Sequence, residues 1–440
     1  MPEIDAGNTA WVIVATALVF FMTPGLALFY GGMVRAKTVL NMMMMSFGAI
    51  GIVSVLWMLY GYSMVFGNDV GGGLLGNPTE FFALNGLVDD VSGGLPTLIF
   101  VAFQCTFAVI TTALISGALA DRVKFGAWLL FCGVWATIVY FPVAHWVFAF
   151  DGEDTVGGWI ANRLGAIDFA GGTAVHINAG AAALAAVIVL GPRIGFGKTP
   201  FRPHNLPMVM TGAAILWFGW FGFNAGSALA ADGLAALAFV NTIAATAVAM
   251  LAWLLVERIR DGHSTSLGAA SGIVAGLVAI TPSCASVNVI GAMIIGLVAG
   301  VLCALAVGLK YKFKYDDSLD VVGVHMVGGI VGTVLIGFLA TSEVIEDTNG
   351  LFYGGGWELL GIQITAAVAT IVFSFVVTAI IVLVIDKTIG FRVSEEDELK
   401  GVDITDLAES AYEYTDIPVG GAKSAIHVKG NQSDKEEVKA

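Results

Sequence analysis

Eleven long apolar runs leave this chain little choice of architecture. They fall at roughly 9–33, 40–66, 96–120, 126–149, 168–190, 207–229, 234–256, 267–281, 288–309, 321–340 and 358–385. A helix rises about 1.5 Å per residue, so runs of this length can cross about 30 Å of hydrocarbon. Water is absent there, and a spanning backbone must bond within its own helix or close into a barrel. The alternation of about ten residues that marks barrel strands is missing. Only 12% of residues are charged, too few for the polar surface of a soluble domain of this length. The sequence predicts an all-α membrane protein of eleven transmembrane helices. The first run follows MPEID, has no basic flank and is too long for the apolar core of a leader, so it is read as a retained helix.

Basic residues set the orientation. Nineteen of the 20 Lys and Arg follow odd-numbered runs or lie in the tail, and only Arg163 falls on the other side. That places the N-terminus outside and the C-terminus in the cytoplasm. Fourteen acids, from Glu3 and Asp5 to Glu358, stand against Arg163 alone on the outer side, and the net charge is −14. Such a face concentrates cations and repels anions, which argues against a nucleic-acid partner. Solubility or adaptation to high salt accounts for it equally well. Cys105, Cys132, Cys284 and Cys303 lie in or at the ends of runs and read as buried free thiols.

Residues 1–386 therefore form a transmembrane domain, and 387–440 an acidic cytoplasmic tail with twelve acids from Glu395 on. Order is expected near the membrane and disorder past about 420.

Runs one to five and six to ten each end in an Asp-led, Gly-rich, His-bearing segment: DFAGGTAVHINAG from Asp168 and DVVGVHMVGGIVG from Asp320. Five is odd, so the two halves would be inverted repeats, an arrangement common in transporters, with a final helix added. An ionisable side chain inside a span must have its desolvation compensated, and it marks function by default. Against that stands a packed His bonded to a carbonyl, the ordinary reading of either residue alone. Two in equivalent places favour function. Gly172 and Gly180 flank His176, while Gly328 and Gly329 follow His325, so the helices could approach until the rings share one proton.

Phe103 and Phe107 share a helix face, as do Trp220, Phe223 and Ser227. Rings beside a hydroxyl suit a desolvated cation, although an aromatic core stripe has the same spacing.

The segments GALADRVKF, DFAGGTAVHIN, HNLPMVMTGAAILWFGWFGFNAGSAL, DDSLDVVGVHMVGGIVGT and GFRVSEEDELKGVDIT resemble the signature blocks of the ammonium transporter family. The resemblance runs from the first span to about residue 415. It implies a homotrimer in the cell membrane with one pore per subunit, ammonium or methylammonium as substrate, and control of the tail by a PII-type signal protein. It implies an outer substrate site of Phe107, Ser227 and Asp168, a gate of Phe107 and Phe223, and a pore lined by His176, His325 and Trp220. Asp168 would organise the outer site, and its place before an apolar run equally suits a helix N-cap. The family's outer-site Trp is replaced in AHWVFAFDGEDTVGGWIANRLGAIDF by Phe148, with Trp159 as the other candidate ring.

On this reading ammonium is held outside, deprotonated, and conducted as ammonia past the twin histidines, with or without a relayed proton. No enzyme activity, cofactor or metal is expected. Two other classes fit some residues: a bis-histidine haem protein, and an ammonium sensor signalling through its tail.

Overall fold

The structure is a computed structural model describing residues 3–152 and 155–412. Eleven apolar helices run in chain order: α1 (Ala6–Met33), α2 (Val39–Phe66), α3 (Thr97–Leu119), α4 (Phe125–Phe148), α5 (Gly172–Leu190), α6 (Leu206–Gly226), α7 (Gly233–Asp261), α8 (Ser266–Ile280), α9 (Val289–Phe313), α10 (Val322–Leu339) and α11 (Glu358–Thr388). Ten are long and apolar enough to cross a membrane, while α8 has 15 residues. That is about 22 Å of helix, short of the hydrocarbon thickness. Hydrogen-bonded turns continue α8, with Thr281 N donating to Val278 O and Ser286 N to Ser283 O. Thr281, Ser283 and Ser286 are wholly buried, so this irregular backbone is satisfied by protein.

Side-chain caps start several helices. Asp5, Asn205, Asp232, Thr265 and Asn288 each accept from a backbone N–H three residues on, at α1, α6, α7, α8 and α9. Four spans contain a wide π-turn: Trp57–Gly61, Ala136–Tyr140, Gly172–Ile177 and Val322–Met326. The last two carry His176 and His325, and such turns cost regular hydrogen bonding and concentrate at functional sites.

Large apolar side chains point outward as well as inward. Leu251 and Leu255 of α7, Ile290 of α9, and Val372 and Ile380 of α11 are all exposed. Hydrocarbon around the bundle makes that exposure favourable. Between helices, small residues set the distances. A Cβ on Gly180 would sit 2.5 Å from Met326 Cβ, so α5 and α10 meet closely only because that position is bare.

The loops that follow α1, α3 and α5 meet the C-terminal tail at one end of the bundle, and the loop after α9 joins them through Asp316. Arg193 joins Asp121 and Asp316 at 2.8 and 2.9 Å, and Arg122 joins Asp316 at 3.1 Å. Burial works against the charge on both carboxylates, but the guanidinium contacts outweigh it and hold Asp121 and Asp316 below the usual carboxylate range. The tail forms α12 (Glu395–Lys400) and a π-turn at Asp403–Leu407. The disorder expected past about 420 lies outside the described residues. α11 runs to Thr388, two residues past the boundary expected at 386. All four cysteines are buried free thiols, as their positions suggested.

Candidate functional site

Asp168 organises the entry to α5. Its Oδ1 accepts from the backbone N–H of Gly171 and Gly172 at 2.9 and 2.5 Å, and its Oδ2 from those of Thr173 and Ala174 at 2.8 and 3.2 Å. The Thr173 hydroxyl donates to Oδ2 as well. One carboxylate therefore satisfies donors that a helix start would otherwise leave without partners. Gly171 has φ +117°, a conformation that side-chain-bearing residues rarely adopt, and it turns the chain from Asp168 into the helix.

The π-turn begun there carries His176 inward. Its counterpart on α10 is His325, and the two Nδ1 atoms lie 3.3 Å apart. Their rings are stacked, with centroids 5.4 Å apart and an interplanar angle of 26°. Both side chains are buried, and His176 Nε2 has no hydrogen-bond partner among the described residues. Trp220 stacks on His176 at 5.5 Å and anchors its indole by donating to Thr281 Oγ1 at 2.8 Å. A slot of about 10 Å³ adjoins both imidazoles, with Trp220, Phe223, Val175 and Ile110 among its walls. That is about the space one water-sized molecule needs.

Above the imidazoles lies an aromatic stack. Phe107 meets Phe223 with centroids 4.2 Å apart, and Phe103 meets Phe107 at 5.0 Å. Phe223 also contacts His176, at 6.1 Å. Ser227 ends α6 and donates its hydroxyl back to Phe223 O at 2.8 Å. With its proton committed, the oxygen's remaining lone pairs are available to a donor such as a cationic N–H.

Phe148 is the last residue of α4 and stands outside this stack, 3.6 Å from where a Cβ on Gly171 would lie. It is thus beside the turn that Asp168 braces. Trp159 is elsewhere, against Trp146 at 5.8 Å, and Trp146 in turn packs on Phe373 of α11. His145 is fixed by two contacts, Nδ1 to Val65 O at 2.6 Å and Nε2 to Asp69 Oδ1 at 3.3 Å.

The family model of the Ammonium Transporter Family matches residues 10–412. The chain belongs to the ammonium transporter family. It is 61% identical to an ammonium transporter of Mycobacterium tuberculosis over 434 residues, which covers 93% of this chain and 91% of the relative. Identity to the ammonium transporter of Aquifex aeolicus is 50%, over 93% and 94% of the two chains. Among solved structures, Mep2 of Saccharomyces cerevisiae superposes with a TM-score of 0.82 at 34% identity, covering 90% of this chain and 91% of Mep2. A protein titled Sensor Amt Protein superposes at 0.84 with 30% identity, over 90% and 97%.

One residue of the site region was misplaced by sequence reasoning. The second His-bearing segment was read as led by Asp320, which instead has φ 64° and accepts from Lys310 Nζ at 2.7 Å. Asp317 takes the capping role, accepting from Val321 N and Val322 N at 3.0 and 2.8 Å. It precedes His325 by eight residues, as Asp168 precedes His176. That equal spacing was the available signal.

Proposed function

We propose that this member of the ammonium transporter family carries ammonium across the cell membrane by passing its deprotonated form along the paired histidines. The observation that supports this most is the Nδ1–Nδ1 contact of 3.3 Å between two buried imidazoles beside an apolar slot. A charged ion loses far more solvation there than one small slot can restore. Neutral ammonia can both donate to and accept from imidazole nitrogens, so the slot suits it and does not suit potassium. The cation would be held first by Phe107, Phe148 and Ser227 beside the turn that Asp168 braces, with cation–π attraction and one hydroxyl acceptor replacing water. Phe107 and Phe223 would part to admit the substrate, and Trp220 would wall the path below. The proton stays outside or is relayed across the imidazole pair.

The proposal includes an orientation with the tail in the cytoplasm, an inverted repeat of five helices in which α8 counts as a span, and a homotrimer. It also includes a PII-type partner at the tail face. Sensing through the tail is a second reading, favoured by Asp403, which accepts from Leu40 N and Asn41 N at 3.0 and 2.7 Å and so links the tail to the start of α2. The transport reading is tested by methylammonium uptake into proteoliposomes of the purified protein. Saturable uptake that ammonium competes away supports it, whereas uptake no faster than in protein-free vesicles overturns it.

A further inference from the structure

The turns from Thr281 to Val287 carry α8 onward as irregular backbone inside the bundle. Cys284 and Val287 are wholly buried there, and their carbonyls accept from one side chain, the amide of Asn241 on α7. Its Nδ2 lies 2.8 Å from each carbonyl oxygen, so both N–H donors of the amide are spent on this stretch. Asn241 is itself wholly buried, and its Oδ1 has no partner among the described residues, so the donors are what this position supplies. Two backbone bonds fix the same stretch from other sides. Phe169 N donates to Pro282 O at 3.1 Å, and Thr341 N to Ser286 O at 3.2 Å.

The head of the stretch reaches the pore. Thr281 donates its hydroxyl to Leu277 O at 2.7 Å and accepts the indole N–H of Trp220 at 2.8 Å. Trp220 in turn stacks on His176 and walls the slot beside both imidazoles. Without the amide, two buried carbonyls lose their partners, and backbone in that state moves until it finds a donor. Thr281, three residues before Cys284, would move with it and carry the indole off the imidazole. We propose that Asn241 is a positioning residue for transport, holding these turns so that Thr281 keeps Trp220 stacked on His176. The role presupposes the transport reading and extends it to a helix that supplies no residue to the pore described above.

Methylammonium uptake by the full-length protein in proteoliposomes tests it. Parent uptake no faster than in protein-free vesicles would overturn the transport reading first and this role with it. Asn241→Asp keeps the shape and loses the donors, while Asn241→Leu keeps the approximate volume without polar atoms. Each should assemble as the parent does and lose about fivefold in maximal uptake, the change that one hydrogen bond of typical strength makes. Thr281→Val removes the acceptor of Trp220 and should lower maximal uptake to a similar degree. In the Thr281→Val background Asn241→Asp should add little, because both act along one path. Uptake equal to the parent's in both Asn241 variants overturns the proposal. So do losses that multiply in the double variant, which would place the effect of the amide elsewhere. Dissociation of both Asn241 variants also overturns it, since the residue would then support assembly alone.

Discussion

The Nδ1 atom of His325 lies 3.3 Å from that of His176. Two nitrogens this close require one to donate and the other to accept, so the pair holds one proton between them and turns each Nε2 outward. Neither ring can change tautomer alone without breaking the contact. Transport of ammonia along the pair would couple the two tautomers.

Asp168 should matter to both stability and flux, because four backbone N–H groups and one hydroxyl depend on its carboxylate. Asp168→Ala leaves those donors buried without partners, at a cost of about 1–3 kcal/mol each where no water replaces it. We expect a clearly lowered thermal midpoint in detergent and loss of uptake, and a smaller loss for Asp168→Asn, whose amide oxygen keeps part of the cap. Thermal melts of the three proteins decide it, and an unshifted midpoint in Asp168→Ala contradicts the bracing role.

Phe148 tests the outer site. A Trp face attracts a cation more strongly than a Phe face, by a fraction of the roughly 0.5–2 kcal/mol such contacts contribute. Phe148→Trp should lower the apparent KM for ammonium severalfold with maximal flux little changed, and Phe148→Ala should raise it. Added sodium chloride should raise the parent's KM by screening the acidic outer face. If neither substitution moves KM, Phe148 is ordinary packing. Trp159 is then a poor replacement, since it packs on Trp146.

Ten of the spans and the histidine pair were legible because each leaves a long or repeated mark: hydrocarbon thickness sets run length, and glycines beside both histidines permit the approach. The tail-face network was not. Arg122 and Arg193 entered the sequence reading as orientation signals, yet both are buried and paired. Their partners Asp121 and Asp316 come from distant loops, and no periodicity connects residues so far apart. Asp317, not Asp320, caps the second His-bearing segment, and in the sequence only its eight-residue spacing to His325, equal to that from Asp168 to His176, distinguishes it. The π-turns at both histidines leave no composition of their own.

The tail-face network gives a pH dependence with a definite sign. Asp121 and Asp316 are held below the usual carboxylate range, so their contribution is complete above that range and is lost as pH falls through their lowered values. Arg193→Ala removes the partner that two buried carboxylates share, leaving Asp316 with Arg122 at 3.1 Å and Asp121 with Arg35 at 3.4 Å, and should destabilise at pH 7 by less than the about 3–5 kcal/mol of a fully broken buried pair. At pH 3 the gap between parent and variant should shrink. Denaturation curves at both pH values measure it, and a gap of equal size at each speaks against the pairing.

Deleting the chain after Asp386 removes the Asp403 contacts to Leu40 and Asn41 and the Arg392–Glu398 pair at 2.8 Å. Uptake should fall, or should cease to respond to a PII-type protein. Flux and PII binding both equal to the parent's would remove the tail from the mechanism.

The central claim is that the bonded histidine pair conducts ammonia and excludes ions that cannot give up a proton. Current and internal pH recorded together in proteoliposomes, after matched steps of ammonium or potassium, test it most directly in the parent and in His325→Ala. The parent should respond to ammonium and not to potassium, while the variant, still assembled, should lose most of the ammonium response or admit potassium. A variant whose ammonium-specific response equals the parent's would contradict the claim.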